Sequence, residues 1–183
     1  MRFSRAKANA VADELESRLA SCCTRIAVAG SLRRLKEKVS DVELLFVSRV
    51  QPRPETNALF GTVNVALADE VIQSWLNGLL SKRPNVNGSP TWGPLNKLAV
   101  HLASGIPVDL FATTDECWFN ALVCRTGSAE TNMKIAAGAR RRGLKWHPYG
   151  KGFTYKDGTW LTVTSEREVF EAAGLPYIRP EWR

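Results

Sequence analysis

Residues 40–47 read Ser-Asp-Val-Glu-Leu-Leu-Phe-Val, and this run constrains the chain more than any other. Val42 to Val47 is a short apolar stretch with the character of a buried strand. Alternate residues of a strand leave the same face, so Asp41 and Glu43 project together. Two carboxylates side by side on an otherwise apolar strand are costly unless a cation sits between them. Magnesium suits such a pair, because it takes carboxylate oxygens together with substrate phosphates.

The preceding segment supports that reading. Arg25 to Ala29 is a second apolar run ending in the turn Gly30-Ser31, followed by Arg33-Arg34. Gly30 lets backbone approach a phosphate closely, and Ser31 offers it a hydroxyl and an N–H. Arg34 is suited to fork onto phosphate oxygens. Further on, Leu98, Val100 and Leu102 alternate, Ser104-Gly105 turns, and Ile106, Val108 and Leu110 alternate on the return, which is a hairpin. Asp109 stands alone on the other face of that returning strand. Three carboxylates can bind two metal ions, one activating a hydroxyl and one steadying a triphosphate.

The rest of the chain fits a globular protein that buries a real core, with 183 residues, 44% hydrophobic and 23% charged. No apolar run reaches the length of a membrane span, and residues 1–4 open no signal peptide, so an intracellular, soluble monomer is expected. Ser4 to Ala20 reads as an amphipathic helix, Gln51 to Pro54 as a loop, and Asp69 to Leu80 as a helix. Ser128 caps a helix running to Arg142 that stops at Gly143, and Ser165 with Glu168 forms a capping box for a last helix ending at Gly174. Trp146 to Leu161 suggests short strands. The four cysteines lack zinc-site spacing and read as reduced, partly buried thiols, with one disulfide left open. His101 and His147 have no second ligand at metal spacing and read as structural or surface residues. Trp75 and Trp118 read as packing, whereas stacking on nucleic acid is open for Trp146 and Trp160.

The charge of +7 is localised. Arg125 to Lys156 holds eight Lys and Arg against one acid, Glu130. A band of that kind suits a phosphate polymer, whose counterions are released on binding.

The Gly-Ser turn followed by an acid-x-acid strand resembles the nucleotidyltransferase superfold, and within it the family X DNA polymerases (DNA polymerase beta-like nucleotidyltransferases). Gly30-Ser31-x-Arg33-Arg34 and Ser40-Asp41-x-Glu43 match their palm motif without a gap, and Val108-Asp109-Leu110 resembles the strand of their third carboxylate. Arg125-Thr126-Gly127-Ser128 with Asn132 resembles their nucleotide-gripping turn and helix, and Gly174 to Glu181 the end of their thumb. The resemblance implies an α+β chain in a minimal palm-and-thumb form. Residues 1–113 would be the palm, a mixed sheet with helices on one face, and 114–183 a small α/β thumb.

Asp41, Glu43 and Asp109 would be the catalytic metal ligands for two Mg2+ ions, with Mn2+ as a substitute. Gly30, Ser31, Arg34, Ser40, Thr126, Gly127 and Asn132 would hold a deoxynucleoside triphosphate. Arg140, Arg141, Arg142 and Lys145 would meet primer-template or gapped DNA, by chemistry rather than by motif. The pattern departs at Glu43, where polymerases usually carry Asp, at Cys124 and Arg125, where two aromatics usually stand, and at Ala136 in place of an arginine. A transferase acting on an aminoglycoside or an RNA 3′ end is the alternative enzyme, and a non-catalytic DNA-binding module the alternative from another class.

Overall fold

The computed structural model describes residues 1–54 and 61–183. Phe3–Ser4 forms a two-residue strand, β1, and Ser4 then caps helix α1 (Arg5–Leu19) by accepting from the Lys7 N–H at 3.3 Å. Ala8, Val11, Ala12, Leu15 and Leu19 recur at helical spacing and are buried. Strand β2 (Cys23–Val28) leads into the single turn α2 (Gly30–Arg33), and β3 (Lys38–Val39) pairs back onto β1. The acid-bearing strand is β4 (Val42–Ser48).

Next come a ribbon of β5 (Val50–Pro54) and β6 (Thr62–Ala66), helix α3 (Leu67–Ser74), β7 (Leu80–Lys82) and the hairpin of β8 (Asn96–His101) with β9 (Ile106–Ala112). Two expectations change here. Gln51 to Pro54, read as a loop, lies in β5; a two-stranded ribbon has only edges, where a missing proline N–H is tolerated. The expected helix to Leu80 stops at Ser74, because the chain turns at Trp75–Leu79 to supply the edge strand β7.

The principal sheet has five strands in the order β2-β4-β9-β8-β7. Only β4 and β9 run parallel, so the sheet is mixed. Its two faces separate by alternation. Val42, Leu44 and Phe46 of β4, with Val108 and Leu110 of β9, pack under α1 and α3 in the largest core. Leu45, Val47 and Phe111 on the other face pack against Trp118, Ala121 and Leu122 of α4 (Trp118–Thr126). Charge on this second face lies at two ends: Arg25 of β2, whose guanidinium sits over Trp118 and Phe119, and the end where Glu43 and Asp109 emerge.

Helix α4 joins the two lobes, since its Val123 belongs to the second core, with Ile135 and Ala139 of α5 (Ala129–Arg141). That core is completed by the sheet β10 (Lys145–His147), β11 (Gly152–Thr154) and β12 (Trp160–Thr162), and by α6 (Glu166–Ala172). Ser128 caps α5 and Ser165 caps α6, as the sequence indicates. Glu168 reaches back to the Thr164 N–H at 2.7 Å, one residue before the cap. The four cysteines are free thiols, and His101 is a buried structural residue with Nδ1 2.8 Å from the Ser104 hydroxyl. Among the described residues no helix is long and apolar enough to cross a membrane.

Candidate active site

Glu43 and Asp109 are register partners across the parallel pair β4–β9, so their side chains rise next to each other from one face. Asp41 stands two residues before Glu43, just outside the strand, and is half-buried. All three residues therefore lie at the same end of the sheet. The site has an electrostatic signature. Burial pushes the Glu43 carboxyl up to about 7, and the charges of Asp41 and Asp109 push the same way against Arg125 and Arg34. Burial also raises Asp109, partly offset by the guanidinium of Arg83.

Arg83 is a residue that the sequence gives no signal for. It follows β7 directly, pairs its N–H with the Leu98 carbonyl, and reaches across β8 to make an ion pair with Asp109. Among the described residues no three Asp, Glu, His or Cys side chains already stand in ligating geometry; Asp109 is turned to Arg83. The donor set nonetheless fits a hard divalent cation. It offers three carboxylates on one face, and their mutual repulsion is what a cation would relieve.

The Gly30 turn faces these acids closely. Gly30 has φ +60°, and a Cβ there would collide with the Glu43 carboxylate. Ser31 Oγ and Arg34 Nε are buried beside it without a hydrogen-bond partner. They open onto a groove of about 670 Å3 that Ser40, Arg2, Lys36 and Lys38 also line. Buried polar groups are normally satisfied, so two orphans at the rim of a basic groove point to an absent anionic ligand. Arg2, Lys36 and Lys38 escaped the sequence reading because β1 and β3, which bring them there, are two residues each.

Thr126 and Gly127, at the end of α4, meet the arginines of the Gly30 turn. Arg34 Nη1 donates to the Thr126 carbonyl, and Arg33 Nη1 to its hydroxyl at 2.7 Å. Gly127 has φ +63°, and its bond to Ser128 is cis. Asn132 donates to the Cys124 carbonyl at 2.9 Å, leaving its buried Oδ1 without a partner, a third orphan. Arg33 also binds Glu166 of α6 at 2.5 Å, and Arg183 binds the same carboxylate at 2.8 Å. Burial raises Glu166, but Arg33 and Arg183 together outweigh it and hold the carboxyl below its ordinary value.

Arg125 stands in place of an aromatic and is itself held by aromatics. Its guanidinium lies 3.5 Å from the Phe111 ring centre and 4.7 Å from that of Tyr149, and donates to Asn96 at 3.2 Å. Arg140, Arg141, Arg142 and Lys145 are all exposed at and beyond the end of α5. Arg140 and Lys145 flank a surface pocket over Ala136 and Leu144.

Comparison with known proteins agrees with this architecture. Residues 121–183 match the family model of the DNA polymerase beta thumb. The whole chain is 27% identical over 184 residues to the DNA polymerase/3'-5' exonuclease PolX of Bacillus subtilis (strain 168), and spans 28% of that protein's length. In fold it is similar to Leishmania infantum polymerase beta, crystallised as a ternary P/T complex, with a TM-score of 0.73, 17% identity, and coverage of 99% of this chain and 76% of that one. The chain is thus similar to family X DNA polymerases in three respects: a matched thumb, a likeness in sequence to PolX along its length, and the fold of a polymerase beta.

Proposed function

We propose that the chain is a DNA-directed DNA polymerase of the family X type, which adds nucleotides to a primer 3′-hydroxyl in short-gap repair synthesis. The observation that carries this reading is the register of Glu43 with Asp109, with Asp41 on the same side and the Gly30 turn against Glu43. Asp41, Glu43 and Asp109 would hold two magnesium ions, which supply charge neutralisation for phosphoryl transfer.

The chain's own residues divide the remaining work. Ser31 Oγ and Arg34, with the backbone at Ser40, bind and orient the triphosphate; Arg34 is already fixed by Thr126. Asn132 Oδ1 is free to accept from a base or sugar donor, and Gly127, without a Cβ, lets Arg34 approach the turn closely. Asp109, whose burial raises its affinity for a proton, accepts the primer hydroxyl proton at its ionised carboxylate while Arg83 fixes its orientation. Arg140 to Arg142 and Lys145 meet DNA phosphates.

One observation favours a second reading, transfer onto another hydroxyl such as an RNA 3′ end or an aminoglycoside. Arg125 is clamped between Phe111 and Tyr149, and Cys124 precedes it, so no aromatic occupies either position. Incubation with magnesium, each nucleoside triphosphate, and gapped DNA, template-free DNA, RNA ends or an aminoglycoside separates the readings. The polymerase reading predicts templated extension on gapped DNA; exclusive labelling of RNA or aminoglycoside would replace it with the second.

A further inference from the structure

The thumb sheet has one face turned into its core and one turned to solvent. Register places Trp146, Phe153 and Leu161 in one row across β10, β11 and β12, and all three contribute to the thumb core. The Trp146 indole N–H is committed there, donating to Asn120 at 2.7 Å. The rows on the outer face are Lys145–Thr154–Trp160 and His147–Gly152–Thr162. No acidic residue lies in either row.

Trp160 is 40% exposed, although it belongs to a strand in a packed lobe. Its ring lies 4.9 Å from that of His147, tilted by 48°, and the His147 ring is held by the Thr154 hydroxyl at 2.8 Å. Lys151 reaches to 5.5 Å from the Trp160 ring centre, and to 3.6 Å from Glu116. Gly150 lies close beneath the ring, where a Cβ would come to 3.2 Å from the indole edge. The neighbouring Tyr149 is 61% exposed, and it lies on Arg125 beside the carboxylates. Aromatic side chains therefore stand both beside the carboxylates, at Tyr149, and on the outer face of the second sheet, at His147 and Trp160.

We propose that this face is a stacking surface for an unpaired strand of DNA, the single-stranded template leaving the site across Tyr149 and onto His147 and Trp160. Stacking needs a free base face, which duplex DNA does not offer, whereas a ring on an open sheet flanked by lysines suits successive unpaired bases and their phosphates. The surrounding charge is of the right sign, with Lys145, Lys151 and Lys156 against Asp157 in the β11–β12 turn and Glu116 beside Lys151. The proposal rests on the polymerase reading only for naming the strand as template.

The test is fluorescence anisotropy with labelled primer-template duplexes whose 5′ overhang grows from none to about eight nucleotides, within the span that such surfaces cover. Affinity of the unaltered protein should rise with overhang length. Trp160→Ala should lose about 5- to 10-fold on the long overhang and nothing on the blunt duplex, with Trp160→Phe retaining most of the gain. Thr162→Glu, which adds charge to the exposed face without touching the core, should weaken overhang binding in the same selective way.

The surface is contradicted if Trp160→Ala binds the overhang as tightly as its parent, loses equally on blunt duplex, or if RNA overhangs are preferred to DNA. A protein that extends gapped primers but gains nothing from an overhang contradicts this proposal alone. One that gains from the overhang yet extends no primer supports the surface and contradicts the polymerase reading.

Discussion

Gly30 and Glu43 show how far single residues determine this site. The turn needs φ +60° and has no room for a Cβ against the Glu43 carboxylate, so both glycine properties are used at one position. Glu43 in turn is buried beside two other acids, and the folded protein holds on to its proton until the pH approaches about 7. The contribution of this group to stability is complete below its ordinary value of 4.5 and is lost as pH rises toward about 7. Glu43→Gln should therefore melt higher than its parent near about pH 8 and match it below 4.5, in thermal scans without divalent cations. A variant less stable than its parent at the higher pH would show that ionised Glu43 is favourably placed. The positions of Glu43 and Asp109 were legible, because strand alternation puts them on predictable faces, whereas Asp41, expected on the same strand, stands just before it. Arg83 was not: its ion pair spans a strand, and no local pattern encodes which cation reaches Asp109.

Among the elements, α4 is the one whose role the chain conceals. It was not read as a helix, yet it packs Trp118, Ala121 and Leu122 on the palm sheet and Val123 in the thumb core. Its sequence shows no one-sided apolar stripe because it is buried from two directions. The lobes are also tied by Arg33, which binds Thr126 at the end of α4 and Glu166 at the start of α6. Arg33→Ala should cost about 2–3 kcal/mol in denaturant unfolding, the scale of hydrogen bonds to a charged group, since Glu166 keeps Arg183. Glu166→Gln should flatten the acid limb. Its carboxyl is held below the ordinary 4.5, so its stabilisation is present above that pH and disappears as pH falls through the lower folded value. An unchanged acid limb would mean that the pair contributes nothing. The strands β5 and β7 were missed for opposite reasons: prolines argue against a strand, and an edge strand of three residues leaves too short a pattern.

At the scale of the whole molecule, charge is divided between two places. Carboxylates gather where β4 begins, beside the middle of β9, and lysines and arginines line the groove at Gly30 and the far side of the thumb. The division was visible in sequence as a basic band after Arg125, but its geometry was not, because Trp146 and Trp160 differ only in which face of a sheet they take. The central claim is that the three carboxylates act on a primer end bound by the rest of the molecule. It is tested most directly by measuring nucleotide addition and DNA affinity side by side for the parent, Asp41→Asn and Asp109→Ala on one gapped duplex with magnesium. The account predicts that addition falls by more than about 100-fold in each variant while affinity for the duplex stays within about 2-fold. Retained addition in either folded variant, or an equal loss of addition and binding, would contradict it.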